Sequence, residues 1–367
     1  MKKIMIVFGT RPEAIKMCPL ISELRSRKNL DVSVCVTGQH REMLRSVLDV
    51  FGVTPDFDLD IMQHGQTLYD ITQKVMAGMK STFEKVRPDI VLVHGDTTTT
   101  FSAALAAFYS GIPVGHVEAG LRTYDVSSPY PEEFNRQAVD SIAQLHFAPT
   151  ALSRSHLLNE GKSPESVFVT GNTAIDALKT TVRSDYTHPA LDNLSGRLIL
   201  LTAHRRENLG LPMHHIFRAI RRVTEETPDI TVLYPIHMNP AVRAVAESEL
   251  SGCDRIRLIE PLDVLDFHNF MARAFLILTD SGGIQEEAPS LGKPVLVLRN
   301  TTERPEGVAA GTLHLTGTEE DTVYYAFSRL LHDKTTYETM SRASNPYGDG
   351  FASRRIADVL EFGEMRA

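Results

Sequence analysis

Two α/β domains, each a parallel sheet wrapped by helices, are what this sequence predicts, and three observations predict them. Short runs rich in Val and Ile alternate with longer amphipathic stretches, the pattern of strands buried on both faces and joined by crossover helices. The alternation breaks in a polar, irregular stretch around residues 184–195 and then begins again. The 367 residues, 42% of them hydrophobic, favour two cores over one.

The first run, Ile4–Phe8, is only five residues long and leads into Gly-Thr-Arg-Pro, so it reads as a strand rather than a secretion signal. Helical spacing over Ala14–Arg27 follows it, then a strand at Val32–Val36 and a helix at Leu68–Lys85. The series continues with a strand at Ile90–Val93, a helix at Thr100–Tyr109, and strands at Val114–Val117 and Leu145–Phe147. Val167–Thr170 completes one more strand before the composition turns polar, which places the first domain at residues 1–178. The second domain, expected over 179–353, takes strands at Leu198–Leu201, Thr231–Tyr234, Ile256–Ile259, Leu276–Leu278 and Val295–Leu298. Residues 354–367 hold a short amphipathic helix, Arg354–Phe362, able to pack back on the first domain.

Composition narrows the function. A formal charge of -8, from 46 acidic against 38 basic residues, gives no general positive field for a polyanion, so nucleic acid is not expected as a partner. Cys18, Cys35 and Cys253 are odd in number and widely separated, which suggests neither a disulfide framework nor a thiolate metal site and suits a reducing cytoplasm. No run reaches the roughly 18 apolar residues of a membrane span, so no membrane partner is expected.

In open parallel sheets ligands bind beyond the carboxyl ends of the strands, and the unusual polar clusters of this chain fall there. In the first half these are Gly9-Thr10-Arg11, Thr37–Arg41, His94-Gly95-Asp96 and Glu118-Ala119-Gly120. The second half carries His204-Arg205-Arg206-Glu207, His237, and Asp280-Ser281-Gly282-Gly283. The run TDSGGIQEEA sets Ser281, Gly282 and Gly283 between a strand and a helix, so that backbone amides and a positive helix end suit a phosphate. Arg11, Lys16 and Arg304 would add charge-assisted bonds to a diphosphate. A structural turn is the ordinary alternative for the Gly pair taken alone.

Asp96, Glu118 and Glu132 are carboxylates at or near strand ends, suited to acid-base work. Solvation or helix capping is the ordinary role for any one of them, and Glu133 could equally be the inward residue of its pair. His204 directly follows an apolar strand, where a proton carrier or phosphate contact would stand. His214 and His215 lack metal-ligand spacing, no HExxH occurs, and no metal is expected. The first strand ends FGTRPEA instead of GxGxxG, which argues against a dinucleotide, and no cofactor is expected.

At these clusters the chain resembles the non-hydrolysing UDP-N-acetylglucosamine 2-epimerases, through FGTRPEAIKM, TGQHREML, VHGDTTTT, GHVEAGLRT, PEEFNR, HRREN, DSGGIQEEAPSLGKPVLVLR and TTERPE. The resemblance implies two Rossmann-like domains facing a cleft, a glycosyltransferase-B-like arrangement, in a homodimer. It implies Ser281, Gly282 and Gly283 on the diphosphate, Glu287 on the ribose hydroxyls, Arg11 and Arg304 near the phosphates, and Phe267 framing the uracil. It further implies Asp96, Glu118, Glu132 and His204 as the catalytic group, with Lys16 in support. Gln39, His40, Arg205 and His237 match positions at which some relatives bind a second substrate molecule as activator, whereas Glu42 and Gly65 depart from that pattern.

The chemistry explains the carboxylates. The C2 proton of the sugar lies beside an acetamido group, not a carbonyl, so direct abstraction would leave an unstabilised carbanion. Breaking the anomeric C–O bond develops positive charge at C1 and acidifies that proton, giving 2-acetamidoglucal and UDP. Re-addition of UDP with the opposite protonation outcome would complete the inversion, and the residues alone do not say which carboxylate serves which face. A transferase on the same architecture, a nucleotide-sugar sensor, a hydrolysing relative and a 2-epimerase of a diacetamido uronic acid sugar are the rival readings.

Overall fold

The computed structural model describes residues 1–38, 41–63, 65–194 and 196–366, and for 41–43 the backbone alone. Gln39 and His40 therefore lie outside the described residues, as does the side chain of Glu42. The chain divides into one unit of Met1–Thr180 with Tyr347–Ala367 and another of Thr181–Pro346.

The first unit holds a parallel sheet of β1 (Lys2–Phe8), β2 (Leu30–Val36), β3 (Phe57–Asp58), β4 (Ile90–His94), β5 (Val114–Val117), β6 (Leu145–Ala148) and β7 (Val167–Val169). Its strands run in the order β3-β2-β1-β4-β5-β6-β7. The order reverses between β1 and β4, and this switch opens the crevice in which such folds place ligands. Met5, Val7, Val91 and Val93 point from the central strands into a core with Val75, Met79 and Phe83 of the helix Leu68–Val86. Thr10 caps the helix Arg11–Arg25 and Glu13 reaches back to it, with Pro12 in the first turn, so the chain leaves β1 and enters a helix within two residues.

The second unit repeats the architecture with β8 (Arg197–Thr202), β9 (Ile230–Pro235), β10 (Ile256–Ile259), β11 (Leu276–Thr279), β12 (Val295–Val297) and β13 (Leu313–Leu315). The order is β10-β9-β8-β11-β12-β13, all neighbours parallel. Ile199, Leu201, Val232 and Leu278 meet Ile216, Phe217, Ile220 and Val223 of the helix Leu211–Glu226 in its core.

Two edge strands, β3 and β13, have no counterpart in the periodicity, because two or three residues cannot show an alternation. The second unit ends at Pro346, seven residues before the boundary expected at 353. Tyr347 is the reason: it is only 2% exposed, and its carbonyl accepts from the Asn172 amide at 2.7 Å in the first unit. The helix Ala352–Phe362 then packs on Arg11–Arg25, its first amides bound by Asp176 at 3.2 and 2.7 Å. No helix among the described residues is long and apolar enough to cross a membrane.

Candidate functional site

In the first unit, the loops after β1, β4 and β5 enclose a cavity of about 480 Å³ lined by Arg11, Glu13, Lys16, His94, Asp96 and Glu118, among others. Four of the residues expected at the site, Arg11, Lys16, Asp96 and Glu118, thus share one space. Glu118 is its most constrained member. It holds a left-handed backbone at φ 66°, a conformation that a non-glycine residue adopts at a cost of about 1–3 kcal/mol. Its carboxylate is ion-paired with Lys16 and accepts from Asn172 Nδ2 at 2.9 Å. His94 Nε2 lies 3.6 Å from the same oxygen, buried and without a hydrogen-bond partner. Burial chiefly, helped by the charges of Lys16 and His116 against that of Glu118, pushes His94 down to about 3, so its ring is neutral.

Asp96 follows β4, and its carboxylate takes Arg136 Nη2 at 2.5 Å while its carbonyl takes Asn135 Nδ2 at 2.9 Å. Both partners stand on the helix Glu132–Ile142. Glu132, expected in the catalytic group, begins that helix half-buried and does not line the cavity. Glu133 is the inward member of the pair. It is fully buried and accepts from the amides of Thr123 and Tyr124 at 3.0 Å each and from Gln137 at 2.7 Å, so it anchors the loop after Gly120.

Glu13 was not singled out in the sequence, although the Thr10-Arg11-Pro12-Glu13 capping box was legible. Its buried carboxylate joins two loops, taking the amides of Gly9 and Thr10 at 3.0 and 2.7 Å and the hydroxyls of Thr97 and Thr100 at 2.8 and 3.0 Å. Burial, the largest influence, raises its pKa against those bonds.

In the second unit, the turn after β11 carries the phosphate-type site. Ser281 caps the helix Gly282–Ser290 without a side-chain bond to it, so the first amides of that helix remain available to a ligand. Two guanidinium groups stand over Gly282: a Cβ placed there would lie 3.6 Å from Arg205 Nη2 and 3.9 Å from Arg304 Nη2. Arg304 is ion-paired with buried Glu286, and its loop is tied to the turn through Thr302 and Gln285 at 2.6 Å. Arg205 thus stands with Arg304 at this turn, a placement not read from the sequence. Glu287 sits one helical turn on, 3.6 Å from His268 Nε2, and Phe267 precedes that histidine, half-buried.

Asp280, named in the sequence only as part of its cluster, organises the loop after β8. It accepts from the amides of His204 and Arg205 at 2.8 Å each and from Asn208 Nδ2 at 3.1 Å. His204 stacks on His237 with centroids 5.0 Å apart and planes 10° from parallel. Burial above all, with the positive neighbours His237 and Arg205, lowers His204 against the pull of Asp280 and favours a neutral ring near pH 7. No group of three His, Cys, Asp or Glu among the described residues is arranged to hold a metal ion.

Comparison with known proteins identifies the family of the chain. The family model described as UDP-N-acetylglucosamine 2-epimerase matches residues 22–361. The UDP-N-acetylglucosamine 2-epimerase of Bacillus subtilis is 60% identical over 361 residues, covering 98% of this chain and 95% of its own. The crystal structure of the UDP-GlcNAc 2-epimerase from Neisseria meningitidis, bound to UDP-GlcNAc, superposes with a TM-score of 0.89 at 48% identity, covering 98% of this chain and 99% of that one. A glycotransferase of kitacinnamycin, 14% identical with a TM-score of 0.65 over 98% of both chains, shares the fold alone.

Proposed function

This chain belongs to the UDP-N-acetylglucosamine 2-epimerase family, and from that premise we propose that it interconverts UDP-N-acetylglucosamine and UDP-N-acetylmannosamine by eliminating UDP to 2-acetamidoglucal and adding it back. The observation that carries this reading is the cavity in which Asp96 and Glu118 stand with Lys16 and Arg11. Two carboxylates from adjacent strands supply the acid and base that removal and return of the C2 proton demand.

The second unit is assigned the nucleotide. Ser281, Gly282 and Gly283 offer amides to the diphosphate, and Arg205 and Arg304 offset the charge that develops on UDP as it departs, the electrostatic term that is usually largest in enzymes. Glu287 takes the ribose hydroxyls, Phe267 frames the uracil, and His204, neutral beside them, donates to the diphosphate or exchanges a proton with it. Asp96 and Glu118 carry the proton at C2, while Glu132 contributes through the loop and helix it begins. UDP stays bound throughout, because its release would strand the glycal.

The product would be activated N-acetylmannosamine for bacterial surface polysaccharide synthesis, made in the cytoplasm by a homodimer. The helix Thr98–Tyr109 supports the homodimer, since Phe108 is 51% exposed and Phe101 meets half-exposed Phe134 edge-on at 5.7 Å, an apolar face suited to a second copy. Sedimentation of the purified protein as a monomer would remove that part.

The reaction is tested by proton NMR in deuterated water with UDP-N-acetylglucosamine and no acceptor. Formation of the manno epimer with deuterium at C2 is expected. Retention of protium at C2 would exclude elimination, and absence of turnover until an acceptor is added would point to a transferase.

A further inference from the structure

Bonded to the loops that carry the two carboxylates of the cavity is a buried pair that the proposed chemistry does not use. His116, in β5, and Asp140, in the helix Glu132–Ile142, are both completely buried, with His116 Nδ1 2.6 Å from Asp140 Oδ1. The other ring nitrogen, Nε2, lies 2.7 Å from the carbonyl oxygen of Gly95. That oxygen can only accept, so Nε2 carries a hydrogen and donates it. Gly95 is the residue immediately before Asp96, in a left-handed backbone at φ 64°, and its own amide donates to Val117 O at 2.9 Å. Both polar groups of Gly95 are thus held by β5, the strand that Glu118 directly follows.

Asp140 acts on the other flank. Its Oδ2 takes the Gly120 amide at 3.3 Å and Arg122 Nη2 at 2.7 Å, and Arg122 is in turn bound by Glu160 at 2.7 Å. No side chain fits at Gly120, since a Cβ there would lie 2.3 Å from the Ser153 carbonyl oxygen. Glu118 is therefore bracketed by His116 two residues before it and Gly120 two residues after it, both fixed to one carboxylate. Burial, the largest influence, raises Asp140, but His116 and Arg122 together outweigh it and bring it to about 2. Asp140 is therefore a permanent anion, suited to orienting the ring and unsuited to passing protons.

We propose that His116 is a positioning residue for the epimerisation: oriented by Asp140, it holds the Gly95 carbonyl and so fixes the separation of Asp96 from Glu118. A misplacement of about 1 Å between reacting groups costs on the order of 10²-fold in rate, which is the magnitude this pair governs. The proposal rests on Asp96 and Glu118 being the proton carriers.

Two substitutions separate the bonds of the ring. The amide of Gln reaches the place of Nε2 and can still donate to Gly95, whereas the shorter amide of Asn reaches only the place of Nδ1 and keeps the contact to Asp140. Turnover of His116→Gln should exceed that of His116→Asn by roughly tenfold or more, with UDP affinity by calorimetry within about threefold of the unaltered protein in both, because the nucleotide residues stand in the other unit. His116→Asn turning over as fast as His116→Gln, or UDP affinity and thermal midpoint falling in step with kcat in both, would assign the pair to general stability and overturn the proposal. Asp96→Asn and Glu118→Gln serve as controls: unaltered turnover in these would sink the assignment of the proton carriers, whatever the His116 variants do.

Discussion

The six strands of the second unit repeat the order of the first six of the first unit, yet the two units end in opposite chemistry. The loops beyond β1, β4 and β5 present Asp96 and Glu118, each tied to a cation of its own unit, Arg136 and Lys16. Beyond β8, β11 and β12 the second unit presents Arg205 and Arg304 over an open helix end, with buried Asp280 holding the loop amides and buried Glu286 paired to Arg304. The scaffold does not dictate which arrangement appears; the few residues after each strand do. Under the proposed function the contrast becomes a division of labour, a proton moved in one unit and an anion held in the other, so substitutions in each should separate rate from affinity.

The largest expected effect is on rate. Replacing Asp96 by Asn or Glu118 by Gln should lower kcat by roughly 10²–10⁴-fold while UDP binding by calorimetry changes by less than about fivefold. Comparable losses in both quantities would erase the division between the units.

Next comes affinity. Arg205→Met should weaken UDP binding by about 10–100-fold, the equivalent of one lost charge-assisted contact of roughly 1.5–3 kcal/mol. Since the contact is made with the ground state as well as with the leaving group, kcat at saturating substrate should fall less than kcat/KM does. A variant that binds UDP normally would remove Arg205 from the diphosphate set.

A smaller effect belongs to pH, through His94 in the first unit. His94 titrates at about 3 in the folded chain, and near 6.5 once unfolded. Below about pH 6.5 the unfolded chain takes up a proton that the folded chain refuses, so this contribution is complete above that pH and is lost as the pH falls toward 3. The loss amounts to at most about 1.4 kcal/mol per pH unit. Denaturant melts between pH 6.5 and 4.5 should show a shallower slope for His94→Asn, and an unchanged slope would mean that His94 is protonated in the folded protein.

The smallest effect concerns a second substrate molecule. By the resemblance drawn from the sequence, Gly65 stands where activated relatives carry Arg; it lies at φ 74° with no atom within 4 Å of an added Cβ, and as a glycine brings no guanidinium to a second diphosphate. Forward kinetics should be nearly hyperbolic and the reverse reaction should run without added activator. Strongly sigmoidal progress with a silent reverse reaction would show that other cations replace the missing one.

Local pattern made much of the molecule legible. A strand buried on both faces must be a continuous apolar run, so most strands declared themselves, and a loop that leaves such a strand for a helix within a few residues must carry Gly, Thr, Asp or Ser to turn and cap. That is why Gly9-Thr10, Gly95-Asp96 and Ser281-Gly282 could be placed at the sheet edge before any coordinates. Glu133 could not be separated from Glu132, because both begin the same helix and only the packing of the loop 121–131 shows which one turns inward.

What the sequence by itself determined is therefore the repeated α/β pattern and the residue types at each strand end, since both follow from steric and hydrophobic rules acting over a few residues. What only the tertiary structure decided is partnership. Lys16 and Glu118 are 102 positions apart and Asn172 a further 54 beyond, and no periodicity relates them. His116 and Asp140 belong to a strand and a helix whose facing sides are chosen by the packing between them. Such bonds form because a buried charge or a turned peptide must find its complement within about 3 Å, a condition on the folded volume that a linear chain does not express.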